Sequence, residues 1–194
     1  MVTKIVVSVL FVISCLAGTA PARDLSSAEM ERVRGGEVIV NEVESAAGVP
    51  GVEAIFIVRA GKKAALDALT DYANFRRVFP DVDRLKVRSI NTGEAVVEFG
   101  ISLLFIKISY TLSRRVDAEN GLLTWSKVDG DLDVVEGSWL LQEIPGEKAL
   151  IAVYTSYVKY GGMALTNVIR WRAIQQTRKM CSSFKRYVEN GDQR

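Results

Sequence analysis

The chain reads as an α+β domain. A curved antiparallel sheet of about six to seven strands surrounds one long C-terminal helix, and two short helices follow an early strand. Three observations carry that reading. From Met163 to Asn190 there is neither Gly nor Pro, which as helix spans roughly 40 Å at 1.5 Å per residue. From Arg84 to Tyr160 short alternating apolar and polar segments are punctuated by turn residues, the pattern of consecutive antiparallel strands. The order of the two is the third: a helix with one apolar stripe needs a surface, and the strands before it supply one that can curve and leave space beneath.

The elements follow in order. Ser26 or Ser27 caps a helical turn that ends at Gly35-Gly36. Glu37–Glu44 alternates as a strand, and Gly48 and Pro50 mark a turn. Val52–Ala60 is nearly all apolar at its centre, which predicts a strand either buried on both sides or paired centrally. Lys62–Thr70 places Ala65, Leu66 and Leu69 on one helical face. A second short helix opens at Asp71-Tyr72-Ala73-Asn74-Phe75 and stops before Pro80. Leu85–Ile90 turns at Asn91-Thr92-Gly93 into Glu94–Leu103. In that strand Ala95, Val97, Phe99, Ile101 and Leu103 share a face; in the next, Ile106, Ile108, Tyr110 and Leu112 do. Strands carrying Trp125 and Trp139, and a last strand over Lys148–Tyr160, complete the series. Gly161-Gly162 releases the chain into the long helix, whose stripe is Leu165, Ile169, Ala173, Met180, Phe184 and Val188, interrupted at Gln176 and Thr177.

Composition bounds the function. The 194 residues include no histidine, which removes Ser-His-Asp and Cys-His catalysis and most zinc sites. A formal charge of +2 argues against non-specific nucleic-acid binding. Basic pairs such as Arg76-Arg77, Arg114-Arg115, Arg178-Lys179 and Lys185-Arg186 read as solvated faces. Lys4, the apolar run Ile5–Leu16 and Ala20-Pro21-Ala22 form a secretory signal-peptide pattern. Residues 1–22 are therefore expected to be a signal peptide, and residues 23–194 one exported domain, in a bacterial periplasm. Val12-Ile13-Ser14-Cys15 offers the alternative of a lipoprotein anchored through Cys15. After cleavage only Cys181 remains, so no internal disulfide forms, and its place in the long helix predicts a small buried residue.

Asp71-Tyr72-Ala73-Asn74-Phe75 with Phe79-Pro80-Asp81-Val82, and Gly137-Ser138-Trp139-Leu140-Leu141 with Tyr154-Thr155-Ser156-Tyr157, resemble segments of the START-like superfamily. That superfamily takes in the polyketide cyclase/coenzyme Q-binding and Bet v 1-like (SRPBCC) proteins. The resemblance spans roughly residues 36–190 and departs at Gly161-Gly162-Met163-Ala164, where many relatives carry a Pro. It implies the helix-grip fold, with a hydrophobic cavity under the long helix that holds lipids, sterols, quinones or polyketides. Members include carriers, cyclases or dehydratases, and protein-binding modules, so fold alone does not choose among them. The expected partner is a hydrophobic small molecule or lipid, with transient membrane contact, no nucleic acid and no cofactor. The enzyme and the envelope interaction module are the alternatives.

Inward positions that would line such a cavity are Phe99, Ile101, Leu103, Tyr110, Trp125, Trp139, Tyr154, Leu165 and Ile169. Tyr110, Tyr154, Thr155 and Tyr157 would supply polar groups. Among carboxylates, Glu98, Asp129 and Asp131 form no paired pattern for acid–base work, so no catalytic residue is assigned. Leu103-Leu104-Phe105 joins two strands without Gly, Pro, Asn or Asp. It is either an apolar lip of the cavity that touches a membrane or a lipid donor, or part of one long bent strand.

Overall fold

The computed structural model describes residues 24–103, 106–161 and 167–191, with the side chains of residues 103, 106 and 167–170 left out of the description. The predicted signal segment, Leu104, Phe105 and Leu165 fall outside those residues.

The first helix, α1 (Ser27–Arg34), starts where the sequence asks it to. Ser26 caps it, and Ser26 and Glu29 satisfy each other's backbone in a capping box. The chain then forms the hairpin β1 (Ile39–Glu44) and β2 (Pro50–Val58). In β2, five consecutive residues from Ala54 to Val58 are buried. Ala54, Phe56 and Val58 join the main core, whereas Ile55 and Ile57 pack with Val33, Ile39 and Ile144 in a second, smaller cluster that α1 closes from outside. A strand covered on both faces has no reason to alternate.

Two short helices follow. α2 (Lys62–Thr70) buries Ala65, Leu66, Ala68 and Leu69. Asp71 then accepts hydrogen bonds from the Asn74 backbone N–H at 3.1 Å and side-chain amide at 2.8 Å, setting the turn into α3 (Phe75–Val78). Six strands run consecutively: β3 (Arg84–Asn91), β4 (Glu94–Leu103), β5 (Ile106–Asp117), β6 (Leu122–Gly130), β7 (Val134–Glu143) and β8 (Leu150–Lys159). They make one antiparallel sheet in the order β1-β2-β8-β7-β6-β5-β4-β3. The strand count is 8, above the expected six to seven, because both early strands join the sheet. β2 pairs with β8 from Gly51↔Tyr157 to Val58↔Leu150, and β1 forms the edge beyond it. β4 and β5 pair out to Leu103↔Ile106, so they are two strands of a hairpin and not one bent strand.

The last helix, α4 (Asn167–Gly191), lies across β1 and β2 and meets α2 and α3. Its buried stripe is Thr177, Cys181, Phe184 and Val188, spaced as successive helical turns require. Two expectations are corrected. Ala173 is exposed, and Thr177 lies within the buried stripe instead of interrupting it; Gln176 faces solvent. The 3.6-residue period places Thr177 within the face that Cys181, Phe184 and Val188 share; Ala173 lies at the edge of that same face, and nothing among the described residues covers it. The helix end is tied to β2: the Lys185 ammonium donates to the Ile57 carbonyl at 2.6 Å and to Glu189 at 2.6 Å, and Glu189 accepts from the Arg59 backbone N–H at 2.9 Å.

Candidate functional site: the inner face of the sheet

Strand alternation decides which side chains meet beneath the helices. On β4 and β5 the partners Phe99↔Tyr110, Val97↔Leu112 and Ala95↔Arg114 point inward together. Arg114 is opposite Trp125 on β6, and Trp125 is opposite Gly137 on β7. Trp139 is opposite Leu123 and Tyr154. The rings form two groups on the sheet, joined from the helical side through Phe75 and Phe79. Phe99 stacks with Tyr110 at 5.7 Å between centroids, Trp125 with Tyr154 at 5.7 Å, and Trp139 lies 4.9 Å from Tyr154 and 4.8 Å from Phe184 of α4. From the helical side Phe75 approaches Phe99 at 5.6 Å. Gly137 makes this packing fit: a Cβ there would lie 2.5 Å from a Trp125 ring carbon and 2.1 Å from the Thr155 carbonyl oxygen, so only glycine lets the indole lie flat on the strand.

Phe99, Tyr110, Trp125, Trp139 and Tyr154 thus come together in one interior, and half-buried Ile101 packs at its margin. Leu103 and Ile169 lie on described elements, their side chains outside the description; Leu104, Phe105 and Leu165 lie outside the described residues altogether. Tyr157 and Thr155 do not join the group. Their parity on β8 is opposite to that of Tyr154, so they face the outer surface, where the Tyr157 ring covers Gly51.

The interior also holds a residue that the basic-pair reading placed in solvent. Arg114 is 4 % exposed, while its neighbour Arg115 is exposed. The Arg114 guanidinium carbon stands 5.3 Å from the centre of the Tyr72 ring and 5.4 Å from that of Phe75, cation–π distances. Its buried Nη1 has no hydrogen-bond partner among the described residues. Burial lowers the proton affinity of this guanidinium, with Tyr72 and Tyr110 opposing the shift. The alternation of β5 carried the signal: Ile108, Tyr110, Leu112 and Arg114 share one parity.

Burial pushes the Tyr110 hydroxyl up to about 12, although Arg114 pulls the other way. The Tyr154 hydroxyl is also raised by burial, against a hydrogen bond with Ser156. Burial raises the Cys181 thiol too, so it is held as an inert thiol. Glu98, though buried, points to the outer surface, between Arg84 and Arg88. Asp131 accepts from the Ser109 backbone N–H at 2.7 Å and Asp129 from Gly130 at 2.8 Å. These carboxylates are occupied in outer or turn positions. Among the described residues no group of three His, Cys, Asp or Glu side chains could hold a metal. A hollow of about 560 Å³ opens on the surface beside α3 and the end of α4, lined by Arg77, Pro80, Ser183, Arg186, Tyr187, Asn190 and Gly191. It includes none of the inward aromatic residues.

Neither a protein-family model nor a curated protein matches the chain. Solved structures do. An aromatase/cyclase from Streptomyces is similar with a TM-score of 0.58 at 13% identity, over 80% of this chain and 95% of that one. A START superfamily protein from Mycobacterium smegmatis is similar with a TM-score of 0.60 at 11% identity, over 74% and 97%. A STAR-related lipid transfer protein from Xanthomonas axonopodis gives 0.58 at 12%, over 81% and 94%. At these identities the likeness is one of fold. The chain takes the START-like (SRPBCC) helix-grip fold.

Proposed function

We propose that this protein binds and carries a hydrophobic ligand between the inner face of its sheet and α4. The observation that carries the reading is the composition of that face. Aromatic rings surround Arg114 and Tyr110, polar groups that a core built only to fold would leave out. The structural likeness to lipid-transfer and cyclase proteins supports it. Lys4, the Ile5–Leu16 run and Ala20-Pro21-Ala22 support export to the periplasm. The apolar Leu103-Leu104-Phe105 segment between β4 and β5 supports a transient membrane contact through which ligand passes.

Mass spectrometry of organic extracts from the natively purified protein tests the binding. A co-purifying hydrophobic compound near one per chain is expected. An extract no different from that of an unrelated protein, together with failure to take up a hydrophobic dye, defeats the reading. For the membrane contact, Leu104→Ser with Phe105→Ser is expected to slow transfer to vesicles at least about tenfold while leaving the protein folded. Unchanged transfer in the folded double variant removes that contact from the reading.

A further inference from the structure

Only two charged side chains are buried among the described residues, Glu98 and Arg114, and they differ in one respect. Glu98 has Arg84 and Arg88 beside it. Arg114 has no carboxylate: its surroundings are Tyr72, Phe75, Tyr110 and Trp125, and Nη1 is left without any acceptor. An arginine does not shed its proton at neutral pH, so the charge and its burial cost remain. Where the need is only to fill volume, a Met or Leu serves better. Among the described residues nothing supplies the missing acceptor.

We propose that Arg114 is the anion-recognising residue of the interior and that the ligand is a hydrophobic monoacid. Its carboxylate accepts from Nη1, and its apolar body lies along the rings of Phe99, Tyr110 and Trp125. This rests on the reading of the interior as a hydrophobic-ligand site. A single negative charge is chosen because one guanidinium neutralises one charge and no second buried cation is present among the described residues. A phosphate monoester brings up to about two charges. The Tyr110 hydroxyl stays protonated far above neutral pH, so it remains a donor that a carboxylate oxygen can use.

The test uses the full chain and two matched probes, dodecanoate and dodecan-1-ol, titrated while tryptophan fluorescence is followed. The quantity read is the ratio of their affinities. In the natural protein dodecanoate binds at least about tenfold tighter, the preference expected when a buried cation meets an anion. In Arg114→Met the ratio falls to about one, and in Arg114→Lys a reduced preference for the acid remains. Ligand-free Arg114→Met melts at the same or a higher temperature, which a residue serving the fold alone would not permit. A ratio of one in the natural protein, or an undiminished ratio in Arg114→Met, overturns the assignment of Arg114 while the hydrophobic site stands. Dodecyl phosphate binding more tightly than dodecanoate overturns the monoacid. Binding of none of the probes overturns the hydrophobic site and the anion assignment together.

Discussion

Gly137 and Arg114 show how much depends on single positions. Gly137 is conformationally unremarkable in its strand, yet a methyl group there would meet both the Thr155 carbonyl of β8 and the Trp125 ring. One of these contacts is backbone, so the side chain cannot simply turn aside. Gly137→Ala is expected to cost about 1–3 kcal/mol, read from denaturant midpoints, with a red shift of tryptophan emission as Trp125 lifts from the strand. An unshifted spectrum and an unchanged midpoint would mean that β7 and β8 part more easily than the geometry indicates. Residue type alone shows neither constraint. Glycine between Glu136 and Ser138 reads equally well as a weak strand position, and Arg114 beside Arg115 reads as a solvated pair. Parity along β5 does place Arg114 inward, and carrying the alternation two residues past Leu112 is enough to see it. Thr155 and Tyr157, expected among the polar groups of the interior, share one parity on β8 and face outward, opposite to Tyr154.

The helices are held by few but specific contacts. Arg32 in α1 grips Glu37 with two hydrogen bonds, at 2.8 and 2.6 Å, and this hydrogen bond chiefly holds the Glu37 carboxyl below its usual value of 4.5. A carboxyl depressed in the folded state contributes stability that is present above its unfolded pKa and fades as pH falls through the folded one. The melting temperature should therefore decline on acidification below about pH 4.5, and Glu37→Gln should flatten that part of the profile. A variant with the slope of the natural protein would show that the exposed pair contributes nothing. At the other end of the chain, Lys185 links α4 to the Ile57 carbonyl and to Glu189. Lys185→Met keeps the aliphatic stem but removes both hydrogen bonds. It is expected to cost about 1–3 kcal/mol and to speed amide exchange in the last turns of α4. Exchange confined to its original rate would place the anchoring in Phe184 and Val188 instead. The boundaries of α2 and β4 were legible to the residue, because turn chemistry and alternation act locally. Of the α4 stripe, Met180, Phe184 and Val188 are legible from the period alone, whereas the exposure of Ala173 depends on which surface covers that turn; Leu165 and the Ile169 side chain lie outside the description.

In the whole molecule, the contact that makes one sheet out of two parts is β2 with β8, segments roughly a hundred residues apart in sequence. Pairings this distant must close a long loop before they gain any stability, so refolding is expected on the millisecond-to-second scale of sheet-rich domains. Stopped-flow tryptophan fluorescence would check this, and a dominant microsecond phase would contradict it. The helix-grip order itself was determined by the sequence: turn residues at regular intervals, strands of alternating polarity, and a closing segment free of Gly and Pro are all local properties. So was the inward aromatic set on β4 to β8, which follows from parity within each strand. Only the tertiary structure decided that the early hairpin joins the sheet as two further strands, that α1 closes a second small core, and that Arg114 lies among aromatic rings without a counter-charge. The physical reason is the same in each case. Pairing across a long loop, burial of a second face and the absence of a neutralising partner are properties of residues that meet in space, and no window of sequence contains both sides of the contact.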